Sequence, residues 1–262
     1  MTLTLDVGNT RLSCGVFDEK KLLHTFSCET GGGLSEDKED KLADFFLSEL
    51  NRAGFQPSDI SEIAACSVVP TLNFSIAKAC QSAFGKEVFL LNSSCKTGLK
   101  INYQPLEKLG TDRIAAAAGA ISLVQDKNLI VVDMGTATTV DVITSEKEFC
   151  GGAILPGINL MLKSLGSGTA QLPEVQMTRP ENLPGTSTEE CIQSGVFYGA
   201  LGGIKELILC FARKAFEGQK PYVIATGGFS YLFEDDGLFD RIEKNLVLEG
   251  LNQITKMNKN VS

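Results

Sequence analysis

Two short segments share an aspartate followed two residues later by a glycine, each directly after an apolar run. Residues 6–10 read Asp-Val-Gly-Asn-Thr, and residues 133–137 read Asp-Met-Gly-Thr-Ala, about half of the 262-residue chain further on. A turn glycine lets backbone N–H groups approach an anion closely, and the next Asn or Thr adds side-chain donors. A carboxylate repels phosphate, so each aspartate suits the cation that accompanies a nucleotide. Two such turns facing one another would hold a nucleoside triphosphate with Mg²⁺.

The sequence lacks the residues and motifs that several other classes of enzyme need. The sequence has no GxxxxGK[ST] loop, which excludes a P-loop enzyme, and no GxGxxG turn between a strand and a helix, which disfavours a dinucleotide-binding fold. His24 is the only histidine, which makes a catalytic triad or a zinc site improbable. The eight cysteines show no CxxC spacing and are expected to be reduced thiols of a cytoplasmic protein.

The composition and net charge of the chain limit the classes of partner that it can bind. Hydrophobic residues make up 43% and charged residues 21%, which is enough for a packed core. The net charge of −8 disfavours nucleic acid and anionic membranes, although a small site can still be locally positive. The longest nearly apolar stretch, residues 114–124, is too short to span a bilayer, and the N-terminus lacks the features of a secretory signal. We therefore expect a cytoplasmic protein with no nucleic-acid or membrane partner.

Strands must position both turns. Apolar and polar residues alternate over 2–5 and 12–16 around the first turn, and strands are predicted at 129–132 and 138–143 around the second. Helices are predicted over 109–124 and 188–216. The repeat at half-chain separation predicts an α/β protein of two similar halves, residues 1–114 and 115–262, with a cleft between them.

Seven motifs in order make the pattern specific. They are residues 6–10, Ser-Val-Val-Pro at 67–70, Gly-Thr-Asp-Arg at 110–113, residues 133–139, Gly-Gly-Ala-Ile-Leu-Pro-Gly at 151–157, Thr188 with Gln-Ser-Gly at 193–195, and Thr-Gly-Gly at 226–228. In order and spacing they resemble the type III pantothenate kinases of the acetate and sugar kinase/Hsp70/actin superfamily. The resemblance implies two ribonuclease H-like, actin-like ATPase halves, each a mixed sheet flanked by helices.

The resemblance also implies a reaction. ATP would phosphorylate the terminal hydroxyl of pantothenate, giving 4'-phosphopantothenate in the first step of coenzyme A synthesis. It implies Mg²⁺ with ATP, a monovalent cation (K⁺ or NH₄⁺) and a homodimer.

Roles are implied residue by residue. Asp112 is the expected general base. Pantothenate is expected to contact Tyr103, Gly110, Thr111, Asp112, Arg113 and Thr188. ATP is expected at Asp6, Val7, Gly8, Asn9, Thr10, Arg11, Leu12, Ser13 and Thr136. Asp133 is expected to bind K⁺, and Asp6 to bind Mg²⁺ directly or through water. The residues 226–228 are expected near the adenosine.

Each of five residues also has an ordinary structural interpretation. Asp112 could be a first-turn or N-cap aspartate, and Arg113 could form a surface or helix-end salt bridge. Tyr103 could be a packing aromatic, Thr188 an N-cap and Asp133 a turn aspartate. Two other functions stay open. One is another small-molecule kinase of the superfamily, such as a sugar kinase, and the other is a catalytically silent regulator of the Bvg accessory factor type.

The predicted helix from Thr188 carries a row of small residues. Gly195, Gly199 and Gly203 recur every four residues, so they share one face that another helix backbone could approach closely. Such a face serves internal packing or a symmetric contact. With the family resemblance, the row favours the homodimer and places Thr188 near the neighbour's substrate.

Overall fold

The computed structural model describes residues 1–30 and 38–259 as an α/β protein. Its strands are β1 (Thr2–Val7), β2 (Arg11–Asp18), β3 (Lys21–Glu29), β4 (Glu62–Ser67), β5 (Val88–Leu90), β6 (Lys100–Ile101), β7 (Leu129–Met134), β8 (Ala137–Ile143), β9 (Glu148–Pro156), β10 (Tyr222–Thr226) and β11 (Arg241–Ile242). Its helices are α1 (Lys38–Arg52), α2 (Pro70–Phe84), α3 (Thr111–Leu123), α4 (Ile158–Gly168), α5 (Thr188–Ala215) and α6 (Leu246–Asn258), with short 3₁₀ segments at Pro57–Asp59, Leu106–Lys108 and Ser230–Asp236. The strands and helices predicted around the two turns are confirmed, with ends that differ by a few residues.

The chain forms two compact units. Unit 1 comprises the described residues of Met1–Leu99, Tyr103–Leu123 and Leu246–Ser262, and unit 2 comprises Lys100–Asn102 and Val124–Asn245. The predicted boundary after residue 114 therefore differs from the observed one, because it would cut through α3, whose turns are joined by backbone hydrogen bonds. The C-terminal helix α6 returns to unit 1 instead of completing the second half.

Unit 1 is a five-stranded sheet with helices on its faces. The strand order is β3-β2-β1-β4-β5, with β1 antiparallel to β2 and parallel to β4. The side chains of β1 are buried nearly throughout, as expected of a central strand covered on both sides. Leu5 of β1 lies in one apolar cluster with Phe46 of α1 and Ile76 of α2.

On α3 and α6, small residues allow the two helices of unit 1 to approach closely. A Cβ built on Gly119 would lie 2.5 Å from the carbonyl oxygen of Leu246, and one on Gly250 would overlap the carbonyl oxygen of Ala115. The alanine-rich sequence of α3 thus matches its position, because larger side chains would separate the two backbones. This packing fixes the helix whose first turn carries Asp112.

Unit 2 repeats the sheet of unit 1. Its order is β11-β10-β7-β8-β9-β6, with β7 antiparallel to β8 and parallel to β10. Without the added edge strand β6, reading from β9 to β11 reproduces the order from β3 to β5. The duplicated α/β architecture predicted from the repeat is confirmed.

Helix α5 is the long helix of unit 2. Among the described residues it is the one helix long and apolar enough to cross a membrane by length and composition, a test that core helices of soluble proteins also pass. Helix α5 is not the stretch singled out from the sequence, residues 114–124, most of which lies in α3. Eight residues of α5 are buried, among them Val196, Phe197 and Ile204 in the unit 2 core, so α5 is a packing helix.

Candidate active site

The first Asp-x-Gly turn joins β1 to β2. The Gly8 N–H donates to the carbonyl oxygen of Arg11 at 3.0 Å, and a Cβ on Gly8 would lie 3.1 Å from that oxygen. Thr30 binds the turn from the end of β3, since its hydroxyl donates to the Gly8 carbonyl and its N–H to the Thr10 carbonyl, each at 3.0 Å. These bonds engage carbonyl oxygens that would otherwise repel an anion at the turn.

The residues expected to bind ATP divide into two groups. Asn9, Thr10 and Arg11 are exposed, and the Arg11 guanidinium donates to Ser27 Oγ at 2.8 Å. Val7 and Leu12 are buried side chains of the apolar core, so any contact of theirs with a nucleotide would use the backbone.

Asp6 lies at the carboxyl end of β1, opposite Ser13 of β2 and Cys66 of β4. The Cys66 thiol donates to Asp6 Oδ1 at 3.6 Å. Burial and, to a smaller extent, the negative charge of Asp112 raise the pKa of Asp6 from 3.8 to about 7, while the hydrogen bond from the Cys66 thiol opposes the shift. The structure therefore brings Asp6 and Asp112 into one electrostatic site in unit 1.

Asp112 lies in the first turn of α3. Its Oδ1 accepts the backbone N–H of Arg113 at 2.7 Å. Burial raises its pKa above 3.8, while that hydrogen bond and the Arg113 charge oppose the rise. Gly110 makes room for this carboxylate, because a Cβ at Gly110 would overlap Asp112 Oδ1. A partly buried carboxylate with a raised pKa suits a proton acceptor.

Thr111 and Arg113 flank this aspartate. The Thr111 hydroxyl accepts the Ser67 N–H at 3.0 Å and donates to the Ser67 carbonyl at 3.1 Å. Arg113 is only 7% exposed, and its guanidinium carbon lies 5.5 Å from the centre of the Tyr103 ring. Arg113 is therefore not a surface residue, and its buried cation stacks on the aromatic ring that was also expected at the substrate.

Unit 2 holds the second turn, which is one residue shorter than the first. Gly135 N–H donates to the Ala137 carbonyl at 3.1 Å. Two other glycines lie against this turn: a Cβ on Gly227 (φ +87°) would lie 2.5 Å from Asp133 Oδ1, and one on Gly157 would overlap the Thr136 carbonyl. Asp133 is partly buried and Thr136 is exposed.

The second turn offers hard oxygen ligands for a cation. Carboxylate and carbonyl oxygens suit cations with oxygen coordination. Within the part of the chain that the structure describes, no group of three or more His, Cys, Asp or Glu residues could hold a metal ion by itself. A cation here would depend on Asp133, backbone oxygens and the oxygens of a bound nucleotide.

Thr188 is the first residue of α5 and is exposed. Its alternative interpretation as the N-cap is wrong, because Ser187 is the cap: its Oγ accepts the Glu190 N–H at 3.2 Å. The next motif residues have structural partners, since Gln193 donates to the Gln176 carbonyl at 3.0 Å and Ser194 to the Asn182 carbonyl at 3.5 Å. These bonds hold the segment before α5 against the helix. Because Ser187 is the N-cap, Thr188 has no capping role.

The structure thus places thirteen of the sixteen expected site residues in unit 1 and three in unit 2. Those in unit 1 are residues 6–13, Tyr103 and residues 110–113, and those in unit 2 are Asp133, Thr136 and Thr188. Sequence reasoning missed Cys66 and Thr30. Cys66 directly precedes the Ser-Val-Val-Pro motif, which is the signal that could have found it, whereas nothing in the sequence pairs Thr30 with the first turn.

Comparison with known proteins bears on this arrangement. The family model of the type III pantothenate kinases matches residues 2–209, which carry all of these site residues. The chain belongs to the type III pantothenate kinase family. A curated family member from Legionella pneumophila (strain Corby) is 42% identical over 262 residues, covering 98% of this chain and 99% of the relative. The family likeness therefore extends beyond the matched region to nearly the whole chain.

Solved structures agree on the fold of this family member. A candidate Baf family transcriptional activator from Campylobacter jejuni aligns with a TM-score of 0.60 at 24% identity, covering 99% of this chain and 100% of that one. A candidate N-acetylmannosamine kinase from Listeria monocytogenes aligns with a TM-score of 0.51 at 16% identity, covering 99% of each chain. At these identities the likeness supports the fold alone.

The raised pKa of Asp6 predicts a pH-dependent stability for this type III pantothenate kinase. The folded chain holds the Asp6 proton more tightly than the unfolded chain does. The contribution of Asp6 to the free energy of unfolding is therefore fully present below about pH 4 and is lost as the pH rises to about 7. In metal-free buffer with EDTA, Asp6→Asn should raise Tm by about 2–6 °C at pH 8. The gain should shrink steadily towards pH 4 in thermal melts monitored by circular dichroism.

The matched control for this experiment is Asp18→Asn, which changes an exposed aspartate at the end of β2. Its effect on Tm should stay small and should not follow the same pH window. A gain for Asp6→Asn that is equal at pH 4 and pH 8 would contradict the expected burial of the charge.

Proposed function

We propose that the chain is an ATP-dependent pantothenate kinase, which transfers the γ-phosphate to the terminal hydroxyl and yields 4'-phosphopantothenate, the first step of coenzyme A biosynthesis. The observation that carries the proposal is that Asp112, in Gly-Thr-Asp-Arg, interacts electrostatically with Asp6 of the first Asp-x-Gly turn. Membership in the type III pantothenate kinase family supports the choice of substrate.

Asp112 is the proton acceptor in this proposal. As the bond forms between the pantothenate oxygen and the γ-phosphorus, the hydroxyl proton passes to the Asp112 carboxylate and the bridging bond to ADP breaks. A primary alcohol loses its proton late in a loose transition state, so a carboxylate of moderate basicity is sufficient.

Arg113 and Tyr103 form the proposed anchor for pantothenate. The guanidinium is buried, stacked on the ring and next to the proposed base. A buried guanidinium pairs strongly with a carboxylate or a phosphoryl group, so Arg113 is proposed to bind the pantothenate carboxylate or the transferring phosphoryl group. Gly110 provides the space in which Asp112 turns towards the substrate.

The nucleotide belongs at the two Asp-x-Gly turns. In unit 1 the turn between β1 and β2 presents the exposed residues Asn9, Thr10 and Arg11, and in unit 2 Thr136 is exposed at the second turn. Asp6 fits Mg²⁺, because its partly buried carboxylate lies at the first Asp-x-Gly turn. A bound cation would neutralise this carboxylate and so offset the free-energy cost of burying its charge. When bound, the ion would neutralise the charge of the phosphates.

Asp133 is the proposed ligand for a monovalent cation, K⁺ or NH₄⁺. Support comes from its partly buried carboxylate and the backbone oxygens of the tight turn that Gly157 and Gly227 close. Such oxygen ligands suit a large cation of low charge next to the nucleotide phosphates.

This assignment predicts a cation-dependent activity. Turnover should be at least about tenfold higher in K⁺ or NH₄⁺ than in Na⁺ or Tris, and Asp133→Ala should remove that dependence together with most activity, since a cation site loses its one charged ligand. Steady-state ADP release in each cation is the measurement. Asp235→Ala, at an exposed aspartate of unit 2, should keep the dependence. Full wild-type activity with Na⁺ alone would contradict the assignment.

We also propose a homodimer in which α5 makes a symmetric contact. A Cβ on Gly195 or Gly199 would meet nothing within 4 Å, so this part of the glycine row packs against nothing in its own chain among the described residues. Tyr198 and Leu209 of α5 are 40% and 45% exposed. An exposed apolar helix face with small residues is suited to a twofold contact, in which the same patch serves both partners.

We further propose a cytoplasmic location. It is consistent with the eight cysteines, all of which lie in the described residues as free thiols.

A coupled ADP-release assay tests the proposal. Pantothenate should be phosphorylated, whereas sugars, including N-acetylmannosamine, and other primary alcohols at equal concentration should give only background. Turnover of a sugar without turnover of pantothenate would establish another kinase of the superfamily. Nucleotide binding without any turnover would establish a silent regulator, and either result overturns the proposal.

A further inference from the structure

The Thr111 hydroxyl joins two elements that are distant in the sequence. Thr111 begins α3 and Ser67 ends β4, 44 residues apart, yet the hydroxyl bonds to both main-chain groups of Ser67, at 3.0 Å and 3.1 Å. A threonine hydroxyl has one proton to donate. That proton is used on the Ser67 carbonyl, so the side chain cannot donate to a substrate while this pair of bonds is intact.

Ser67 is itself the junction of three elements in unit 1. In the sheet register it lies beside Val7, and the preceding Cys66 lies beside Asp6. The Ser67 hydroxyl accepts the Val69 N–H at 3.2 Å, at the residue before α2 begins. A bond from α3 to Ser67 therefore ties the first turn of α3 to the strand that flanks Asp6.

Asp112 directly follows Thr111, so the position of one fixes the position of the other. Gly110, on the other side of Thr111, has no side chain with which to hold this turn. The hydroxyl of Thr111 is thus a side-chain contact that fixes the first turn of α3 relative to the end of β4.

We propose that Thr111 is a positioning residue, which holds Asp112 beside Asp6 through the Ser67 main chain rather than contacting pantothenate with its side chain. The proposal rests on the proposed role of Asp112 as the base. A misplacement of about 1 Å in a reacting group can cost about 10²-fold in rate. Thr111→Val keeps the shape and removes the hydroxyl, so kcat should fall about 10–100-fold, with the KM values for ATP and pantothenate changed less than about threefold.

Two further variants sharpen the test. Thr111→Ser keeps the hydroxyl and should recover most of the lost kcat, whereas Thr111→Ala lacks it and should resemble Thr111→Val. Thermal melts identify any variant that fails to fold, and Thr111→Ala then replaces Thr111→Val in the comparison.

Three results would overturn the inference. A rise of tenfold or more in the KM for pantothenate at unchanged kcat would make Thr111 a substrate contact. Wild-type kinetics for Thr111→Val would remove any role, and a Thr111→Ser variant as impaired as Thr111→Val would show that the hydroxyl is not the active feature. Asp112→Asn measured in parallel separates the two proposals: if it is nearly inactive while Thr111→Val is normal, the inference alone fails, and if it is nearly normal, the assignment of the base fails as well.

Discussion

Asp112→Asn is expected to lower kcat on pantothenate by about 10²–10⁴-fold, the usual contribution of a general base. Asparagine has nearly the same shape and can still accept the Arg113 N–H at its oxygen, so α3 should begin as before. What is lost is the basic site for the hydroxyl proton. Binding of ATP should be retained, because removal of the Asp112 charge lowers the pKa of Asp6 and favours its cation-binding form.

The measurement separates chemistry from binding. Single-turnover kinetics give the chemical step, and calorimetry with Mg·ATP gives the nucleotide affinity. Asp126→Asn is the control, since Asp126 is exposed and has a φ of 55°, which asparagine adopts readily. If Asp112→Asn turned over pantothenate at a rate within a few-fold of wild type, Asp112 would have no part in proton transfer.

Much of the scaffold around these residues follows from local sequence patterns. Alternating apolar residues predict the strands on either side of both turns, and the repeat predicts two similarly folded halves. The repeat matches the aspartates and glycines but does not show that the second turn is one residue shorter. The strand pairing shows the difference, because Met134 pairs with Thr138 in unit 2 whereas Val7 pairs with Leu12 in unit 1.

Contacts between distant segments could not be predicted in the same way. The return of α6 to unit 1 depends on backbone contacts between Gly250 and Ala115, and a glycine in a helical pattern does not name its partner. The Thr111 hydroxyl likewise bonds to main-chain atoms of Ser67, which carry no sequence signal. Single-residue offsets in capping are equally hard to predict, as the neighbouring Ser187 and Thr188 show.

Thr188→Arg is expected to lower activity by at least about 10²-fold, although Thr188 lies in unit 2 and Asp112 in unit 1. Thr188 is exposed and has no capping role, so arginine should be tolerated by the fold, and in the proposed dimer the new side chain would obstruct the pantothenate site of the neighbour. Glu189→Arg, which introduces the same side chain one residue further along α5, is the control and should retain most activity.

A mixed dimer tests where Thr188 acts. If each site uses Asp112 of one chain and the partner subunit's Thr188, a dimer of one Asp112→Asn chain and one Thr188→Arg chain has one doubly damaged site and one intact site. With equal amounts and random exchange, half of the dimers are mixed, so activity should recover to about a quarter of the wild-type value. No recovery after exchange has been verified with differently tagged chains would show that each chain builds its site alone. A monomer at micromolar concentration in light scattering would exclude the shared site directly, because the α5 face would then have no partner to bring Thr188 to the neighbouring substrate.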